Sequence, residues 1–348
     1  MTLPDLLDVV NRAGLVIDGH LDLAYNAGVG RDLTLPLDEL RSREGPGARD
    51  IATVTFGALR AGRVAVCLGT LFAMPRTESS PHGYTDADGA HAQALAQLDQ
   101  YRRWEDAGHV RLLRPGAEVA AHLRESARDP DATPLGVVLL MEGADPIRTP
   151  DELPFWVQQG VQIVGLSWRG TRYAGGTGVP GGLSAVGEEL LDAMREQHVT
   201  LDASHLAEQS FWEALERQPD VIASHSNARA RVPTDRHLTD DMLRAIGDGG
   251  GVVGTVLYNG FLHPGWARGE ARTPPQTVAA MLDHLAEVAG WAHVGLGSDM
   301  DGGFGLREFP EGLNSAADLG RVADLVPADH RAGVRAGNWA RWLTLDRP

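Results

Sequence analysis

Residues 15–22 read Leu15-Val16-Ile17-Asp18-Gly19-His20-Leu21-Asp22. The run Leu15–His20 is apolar enough to form a β-strand. It passes straight into Asp18-Gly19-His20-Leu21-Asp22, with no cluster of glycines. A doubly wound open sheet usually carries a glycine-rich phosphate turn after its first strand. Here an imidazole and a carboxylate stand in that place. Residues i and i+2 of an extended chain point the same way, so His20 and Asp22 can grip one ion together.

The pattern repeats outward from this strand. Further strand-like runs are Gly62–Thr70, Pro134–Gly143, Gln162–Trp168, Thr200–His205, Val221–Ser226, Gly251–Tyr258 and His293–Met300. Most are continuously apolar, which suits parallel strands covered by helices. Helix-like segments lie between them: Ala87–Gly108, Pro150–Gln159, Leu183–Gln197, Ala207–Gln218, Thr239–Gly247 and Pro275–Ala289. Ser315–Leu325 and Pro327–Trp342 follow the eighth strand. Eight strands interleaved with helices indicate an α/β fold, a (β/α)8 TIM barrel, with residues 1–348 forming a single domain. Glycines 175, 176, 178, 181 and 182 follow the fourth strand and read as a flexible loop beside the barrel mouth. No Lys-Ser/Thr follows them, so a P-loop is not indicated. Arg76–Asp88 reads as an insertion before the long helix.

The bulk composition narrows the function classes. The chain has 348 residues, 43% of them apolar, and a net charge of −16. That charge argues against nucleic acid and against an anionic membrane surface as partners. The N-terminus has no basic region before an apolar run and carries Asp5 and Asp8, so a cytoplasmic protein is expected. No stretch has the length of a membrane helix, and the C-terminal Leu-Thr-Leu-Asp-Arg-Pro has no hydrophobic tail. The single cysteine, Cys67, sits in an apolar run and reads as a small buried hydrophobe.

Potential metal ligands fall at the C-terminal ends of the strands. His20 and Asp22 end the first, Glu142 the third, His205 the fifth, His225 the sixth and Asp299 the eighth. In a TIM barrel these ends meet at one mouth, where catalysis occurs. Taken singly, each has a bland reading as a structural histidine or a salt-bridged acid. Six ionisable groups at the ends of five strands would be costly to bury together without a metal or mutual pairing. His205 and His225 on neighbouring strands can hold a second ion, and the two oxygens of Glu142 can bridge both. Two divalent cations are therefore expected, with zinc the first choice; manganese, cobalt or iron suit the same ligands. Asp18 shares the parity of His20 and is expected to support it from below.

These motifs, in this order, resemble the membrane (renal) dipeptidase family of zinc peptidases, within the amidohydrolase-like metal-dependent barrels. Asp18-Gly19-His20-Leu21-Asp22 looks like that family's opening Asp-Gly-His-x-Asp, and Glu142-Gly143 is similar to its bridging Glu-Gly. Ser204-His205 and Ser224-His225-Ser226 look like its later histidines. Gly297-Ser298-Asp299-Met300-Asp301-Gly302 resembles its strand-eight signature, and Gly337-Asn338-Trp339 its C-terminal Gly-Asn-aromatic. The resemblance spans residues 15 to 342. It implies a metallo-dipeptidase tolerant of a D-residue at the C-terminal position, acting through a metal-bridging hydroxide, with Asp299 as proton carrier. It further implies that Arg236, eleven residues past His225, holds the substrate carboxylate, and that Tyr258 faces the mouth.

The chain departs from the family at the fourth strand. The family's Leu-Thr-His, whose histidine contacts the scissile carbonyl, is here Leu166-Ser167-Trp168. An indole offers one N–H donor and no basic nitrogen. The oxyanion role is then weakened at Trp168 or moved to Arg169 or Arg172. A related reading follows, with N-acyl amino acids or other small amides and esters as substrates. A non-catalytic barrel would be expected to have lost ligands, and this chain retains the full set. The partner is a small molecule, a dipeptide or similar amide; a homodimer is left open.

Overall fold

A computed structural model describes residues 2–45, 50–78, 80–218 and 220–345. Its central sheet contains eight strands that correspond to the eight apolar runs. They are β1 (Val16–Leu21), β2 (Val64–Phe72), β3 (Leu135–Glu142), β4 (Val161–Gly165), β5 (Thr200–Asp202), β6 (Val221–Ile222), β7 (Val253–Thr255) and β8 (Val294–Leu296). All pair in parallel, in the ring order β7-β8-β1-β2-β3-β4-β5-β6. A parallel bridge from Ala223 to Val253 joins β6 to β7 and completes the ring. The fold is a (β/α)8 barrel.

Alternation along the strands sorts the core into two layers. Ile17, Val66, Leu68, Val138, Leu140, Ile163, Ile222 and Val252 pack together with Leu6 and Val10 of the helix Leu3–Arg12 and with Trp339. The intervening residues, among them Cys67, Val137, Leu139 and Met141, pack against the helices instead. The first layer fills the barrel and the second joins it to the outer ring, as covered parallel strands require. Glu142 and Thr70 continue the inward columns of β3 and β2, which brings both to the mouth. Cys67 is fully buried, as its apolar surroundings indicated.

The C-terminal Gly-Asn-Trp motif braces the barrel. Trp339 Nε1 donates to the Leu296 carbonyl at 2.7 Å, and Asn338 Nδ2 donates to the Val294 and Trp291 carbonyls, each at 2.7 Å. Gly19 and Gly295 leave the room this needs: a Cβ would fall 2.6 Å and 2.5 Å from the Trp339 indole, respectively. The expected helix Pro327–Trp342 is broken into Ala328–Ala332, a π-turn at Gly333–Gly337 and Asn338–Thr344. The wider turn redirects the chain so that Asn338 and Trp339 reach β8. Ser315–Leu325 forms a 3-10 helix, Ala316–Leu325, rather than an α-helix.

Other outer helices follow their caps. Asp86 accepts from Gly89 N to begin Ala87–Asp106, Ser184 caps Ala185–Glu196 and Thr239 caps Asp240–Asp248. Two departures lie in the connections. A three-residue strand, Val110–Leu112, pairs with the lower half of β3 below β4, too short to read from periodicity. The glycine cluster is not a loose loop but an antiparallel hairpin, Ala174–Gly176 with Val179–Leu183. Residues 346–348 of the C-terminal segment lie outside the described residues. Among the described residues no helix is long and apolar enough to cross a membrane.

Candidate metal centre

The strand ends bring the six ionisable groups into one cluster. Ligand atoms of His20, Glu142 and His225 lie within 4.8 Å of one another, and so do those of His20, Asp22 and Asp299. Glu142 sits between the histidines. Its Oε2 is 3.5 Å from His20 Nε2, and its Oε1 lies 3.3 Å from His205 Nε2 and 3.4 Å from His225 Nε2. Asp22 Oδ1 is 3.8 Å from His20 Nε2. A bulge in β1 between Asp18 and Leu21 sets this end of the strand.

Two residues of the cluster leave their strands sharply. His205 has φ +65° and Asp299 φ +55°, and Asp301 beside it has φ +65°. Among the described residues, three of the five non-glycine residues with positive φ therefore stand at or next to this cluster. Such backbone is sterically disfavoured and tends to be kept where function needs it. The surrounding structure holds it. Asp299 N donates to the His20 carbonyl at 3.3 Å, and Asp301 accepts from Thr53 and Val54 and pairs with Arg31 at 3.3 Å. Gly302 leaves room for this carboxylate, because a Cβ there would lie 1.9 Å from Asp299 Oδ1.

Hydrogen bonds behind the histidines fix their tautomers. His20 Nδ1 and His225 Nδ1 both lie on Ser224 Oγ, at 3.1 Å and 2.8 Å, and Ser224 Oγ donates to Asp202 Oδ2 at 2.5 Å. The serine proton is thus committed to the carboxylate, so both Nδ1 atoms carry the proton and donate. His205 Nδ1 lies 3.0 Å from Thr177 Oγ1. Thr70 donates to Asp22. Asp18 touches no ring; it accepts from His20 N at 3.2 Å and from Ser298 N and Oγ, tying β1 to the start of the Asp299 turn.

His205 Nε2 and His225 Nε2 lie 3.0 Å apart, and with each Nδ1 donating to its hydroxyl oxygen the two Nε2 lone pairs would face each other. Burial holds both imidazoles well below their usual pKa, aided by the nearby positive charge of Arg236 and His20. His20 Nε2 is buried and has no hydrogen-bond partner. These nitrogens, the third of them orphaned, stand beside three carboxylates and fit divalent cations. Nitrogens bound to one zinc at about 2.0–2.1 Å stand roughly 3.0–3.4 Å apart. Without cations, the cluster binds protons instead. His20 is pushed up to about 10: burial opposes its charge, but Glu142, Asp22 and Asp299 outweigh it. Asp22 rises to about 6 through burial and the charge of Glu142, and burial lifts Asp299 well above the carboxylate range.

The substrate-side residues divide. Arg236 is 4% exposed and lies against the cluster, with Nη2 donating to the His225 carbonyl at 2.7 Å and Nη1 to Ser226 Oγ at 3.3 Å. Its Nε has no partner. Trp168 borders the cluster, 6.2 Å from the His205 ring and edge-on to Phe72 at 5.2 Å. Tyr258 stacks on Phe304 at 4.5 Å and meets Phe261 at 4.8 Å; Phe261 in turn lies under the Arg236 guanidinium at 5.4 Å. Arg172 is corrected as a substitute for the missing histidine, because its Nη2 is spent on the Asp145 and Ile147 carbonyls. Arg169 is exposed beside Gly178.

The residues the sequence did not single out are Thr70, Thr177, Asp202 and Ser224. Ser224 directly precedes His225 and Asp202 stands three before His205, so position was a usable signal for those two. His237 is buried beside Arg236, with neither ring nitrogen hydrogen-bonded.

Comparison with known proteins gives a consistent picture. The model of the family described as membrane dipeptidase, peptidase family M19, matches residues 7–331. An uncharacterized Klebsiella pneumoniae protein of the pqqA 5′ region is 33% identical over 266 residues, covering 73% of this chain and 93% of its own length. Dipeptidase aclJ of Aspergillus oryzae is 33% identical over 173 residues, 47% of this chain and 39% of its own. Two solved structures share the fold. One is dipeptidase AC, a metallopeptidase, with TM-score 0.78, 24% identity and coverage of 94% and 97%. The other is a Rhodobacter sphaeroides metallopeptidase liganded with a phosphinate mimic of L-Ala-D-Ala, with TM-score 0.77, 24% identity and coverage of 94% and 98%.

Proposed function

The chain belongs to the membrane dipeptidase family of metallopeptidases, and from that premise we propose that it hydrolyses dipeptides at a two-cation centre held by His20, Asp22, Glu142, His205 and His225. The observation that carries the centre is the approach of the His205 and His225 Nε2 atoms to 3.0 Å, with the Nδ1 of each ring on a hydroxyl oxygen. Bound there, divalent cations would lower the pKa of a water toward neutrality and polarise the amide carbonyl.

The protein's own groups supply the rest. Arg236 is held rigidly by the His225 carbonyl and Ser226, so its free N–H groups are aimed in advance at the terminal carboxylate. Water adds to the amide carbon and the C–N bond breaks. Asp299, ionised beside bound cations, would take the water's proton and return it to the leaving amine. The products are two free amino acids. Tolerance of a D-residue next to Arg236 is part of the proposal, supported by the L-Ala-D-Ala mimic bound in the structural relative.

A second reading has its own observation. Trp168 borders His205 where the family's histidine is expected, and it brings an indole N–H and an apolar ring in place of a base. That favours an acyl group over a charged N-terminus, and so N-acyl amino acids. One panel separates the two: L,L- and L,D-dipeptides against N-acyl amino acids, on zinc-loaded enzyme. The dipeptide reading expects L,D-dipeptides to give the highest kcat/KM. Preference for acyl amino acids would replace it with the second.

A further inference from the structure

The glycine-rich hairpin between β4 and β5 reaches the metal centre through one side chain. Thr177 stands at its turn, between Ala174–Gly176 and Val179–Leu183. Gly175 and Gly176 are steric necessities. A Cβ on Gly176 would lie 2.2 Å from Ser167 Oγ and 2.6 Å from the Arg169 carbonyl, and one on Gly175 would lie 2.7 Å from the Gly181 backbone. Gly178, at φ +72°, takes the left-handed backbone of the turn. These contacts let the hairpin lie flat on the strand ends, where a side chain of any size would lift it away.

The turn is tied down on every side. Thr177 N donates to the Trp168 carbonyl at 3.2 Å, and Ala207 N donates to the Gly175 carbonyl at 3.1 Å. Gly176 bridges Leu206, the residue after His205. Gly178 N donates to Asp235 Oδ2 at 2.7 Å, one residue before Arg236. The hairpin therefore joins the Trp168, His205 and Arg236 segments, which otherwise come from separate strands.

Thr177 makes a double contact with His205. Its Oγ1 is 3.0 Å from His205 Nδ1 and 3.5 Å from the His205 carbonyl. The Nδ1–H donates to the hydroxyl oxygen, and the hydroxyl proton points to the carbonyl. One side chain thus orients the ring and holds the backbone of a residue at φ +65°. His20 and His225 depend on no such excursion, because they share Ser224 and Asp202 within the barrel. The two sides of the centre are oriented by different parts of the chain.

We propose that Thr177 is a positioning residue for His205, and that the hairpin carrying it sets the affinity of the metal position that His205 supplies. This rests on the reading of His205 as a ligand. The test measures zinc affinity by chelator competition and the visible spectrum of the cobalt-loaded protein, for T177V, T177A, T177S and H205A against wild type. The hydroxyl-free variants are expected to weaken one of two ions about 10–100-fold, leave the other in place and shift the cobalt spectrum. T177S keeps both hydrogen bonds and should match wild type. T177A serves if the valine is not tolerated by the fold. Wild-type affinity and spectrum in T177V and T177A, with H205A losing an ion, would overturn the proposal and leave the ligand assignment standing. T177S as impaired as T177V would also overturn it. Two tightly held ions in H205A would overturn the ligand assignment and the proposal with it.

Discussion

Asp299 combines a disfavoured backbone, a buried carboxyl and a glycine that cannot be replaced without striking it. Those features make it costly as a structural residue and sensible as a proton carrier. Asp299→Asn is expected to lower kcat by about 10²- to 10⁴-fold while bound zinc stays at the wild-type level, read by steady-state kinetics and elemental analysis. Arg236→Met should cost about 1.5–3 kcal/mol of binding to a carboxylate, or roughly 10- to 150-fold in kcat/KM. An amide-capped dipeptide, lacking that carboxylate, should lose nothing in the same variant; equal losses on both substrates would remove Arg236 from the carboxylate site. A pH effect follows from His20. Its pKa is raised to about 10 in the metal-free site, so it must shed a proton to become a ligand. Metal affinity should therefore climb as pH rises from 6 to 9, with proton release seen by calorimetry in buffers of differing ionisation enthalpy; a flat profile would contradict this. The candidate ligands were legible because histidine and carboxylate recur at strand ends. Thr177 was not, because a threonine among glycines carries no chemical signal until the fold places it on His205.

The barrel strands were legible in the sequence because a parallel strand covered on both faces is apolar throughout, and such runs stand out between polar helices. Their C-terminal limits were less so. His205 lies in the apolar run Thr200–His205 but has turned out of β5, which ends at Asp202. The glycine hairpin was opaque for a related reason. A flexible loop and a tightly seated turn use the same residue, and only the distances from the missing Cβ positions to the neighbouring backbone tell them apart. Gly19 shows the consequence within a strand. A Cβ there would lie 2.6 Å from the Ser224 carbonyl and 2.9 Å from the Leu296 carbonyl, and neither can withdraw without parting strands. Gly19→Ala is expected to destabilise the metal-loaded protein by about 1–3 kcal/mol, seen as a midpoint a few degrees lower in thermal unfolding. An unchanged midpoint would mean that the barrel mouth yields more easily than this packing implies.

For the whole molecule, the barrel serves as a frame that gathers charges it could not otherwise bury. Three carboxylates and three imidazoles converge inside a chain whose net charge is −16, and the balance is met either by protons or by cations. Binding to the folded state alone stabilises it by mass action, about 4 kcal/mol at a thousandfold excess over the dissociation constant. The central claim, that two cations complete a dipeptidase centre, can be put to one measurement. Metal-free protein is titrated with zinc, and hydrolysis of an L,D-dipeptide is followed at each addition. The account predicts no turnover without metal and activity that rises until two equivalents per chain are bound, then levels. Turnover that survives metal removal, or no turnover at two bound equivalents, would contradict it.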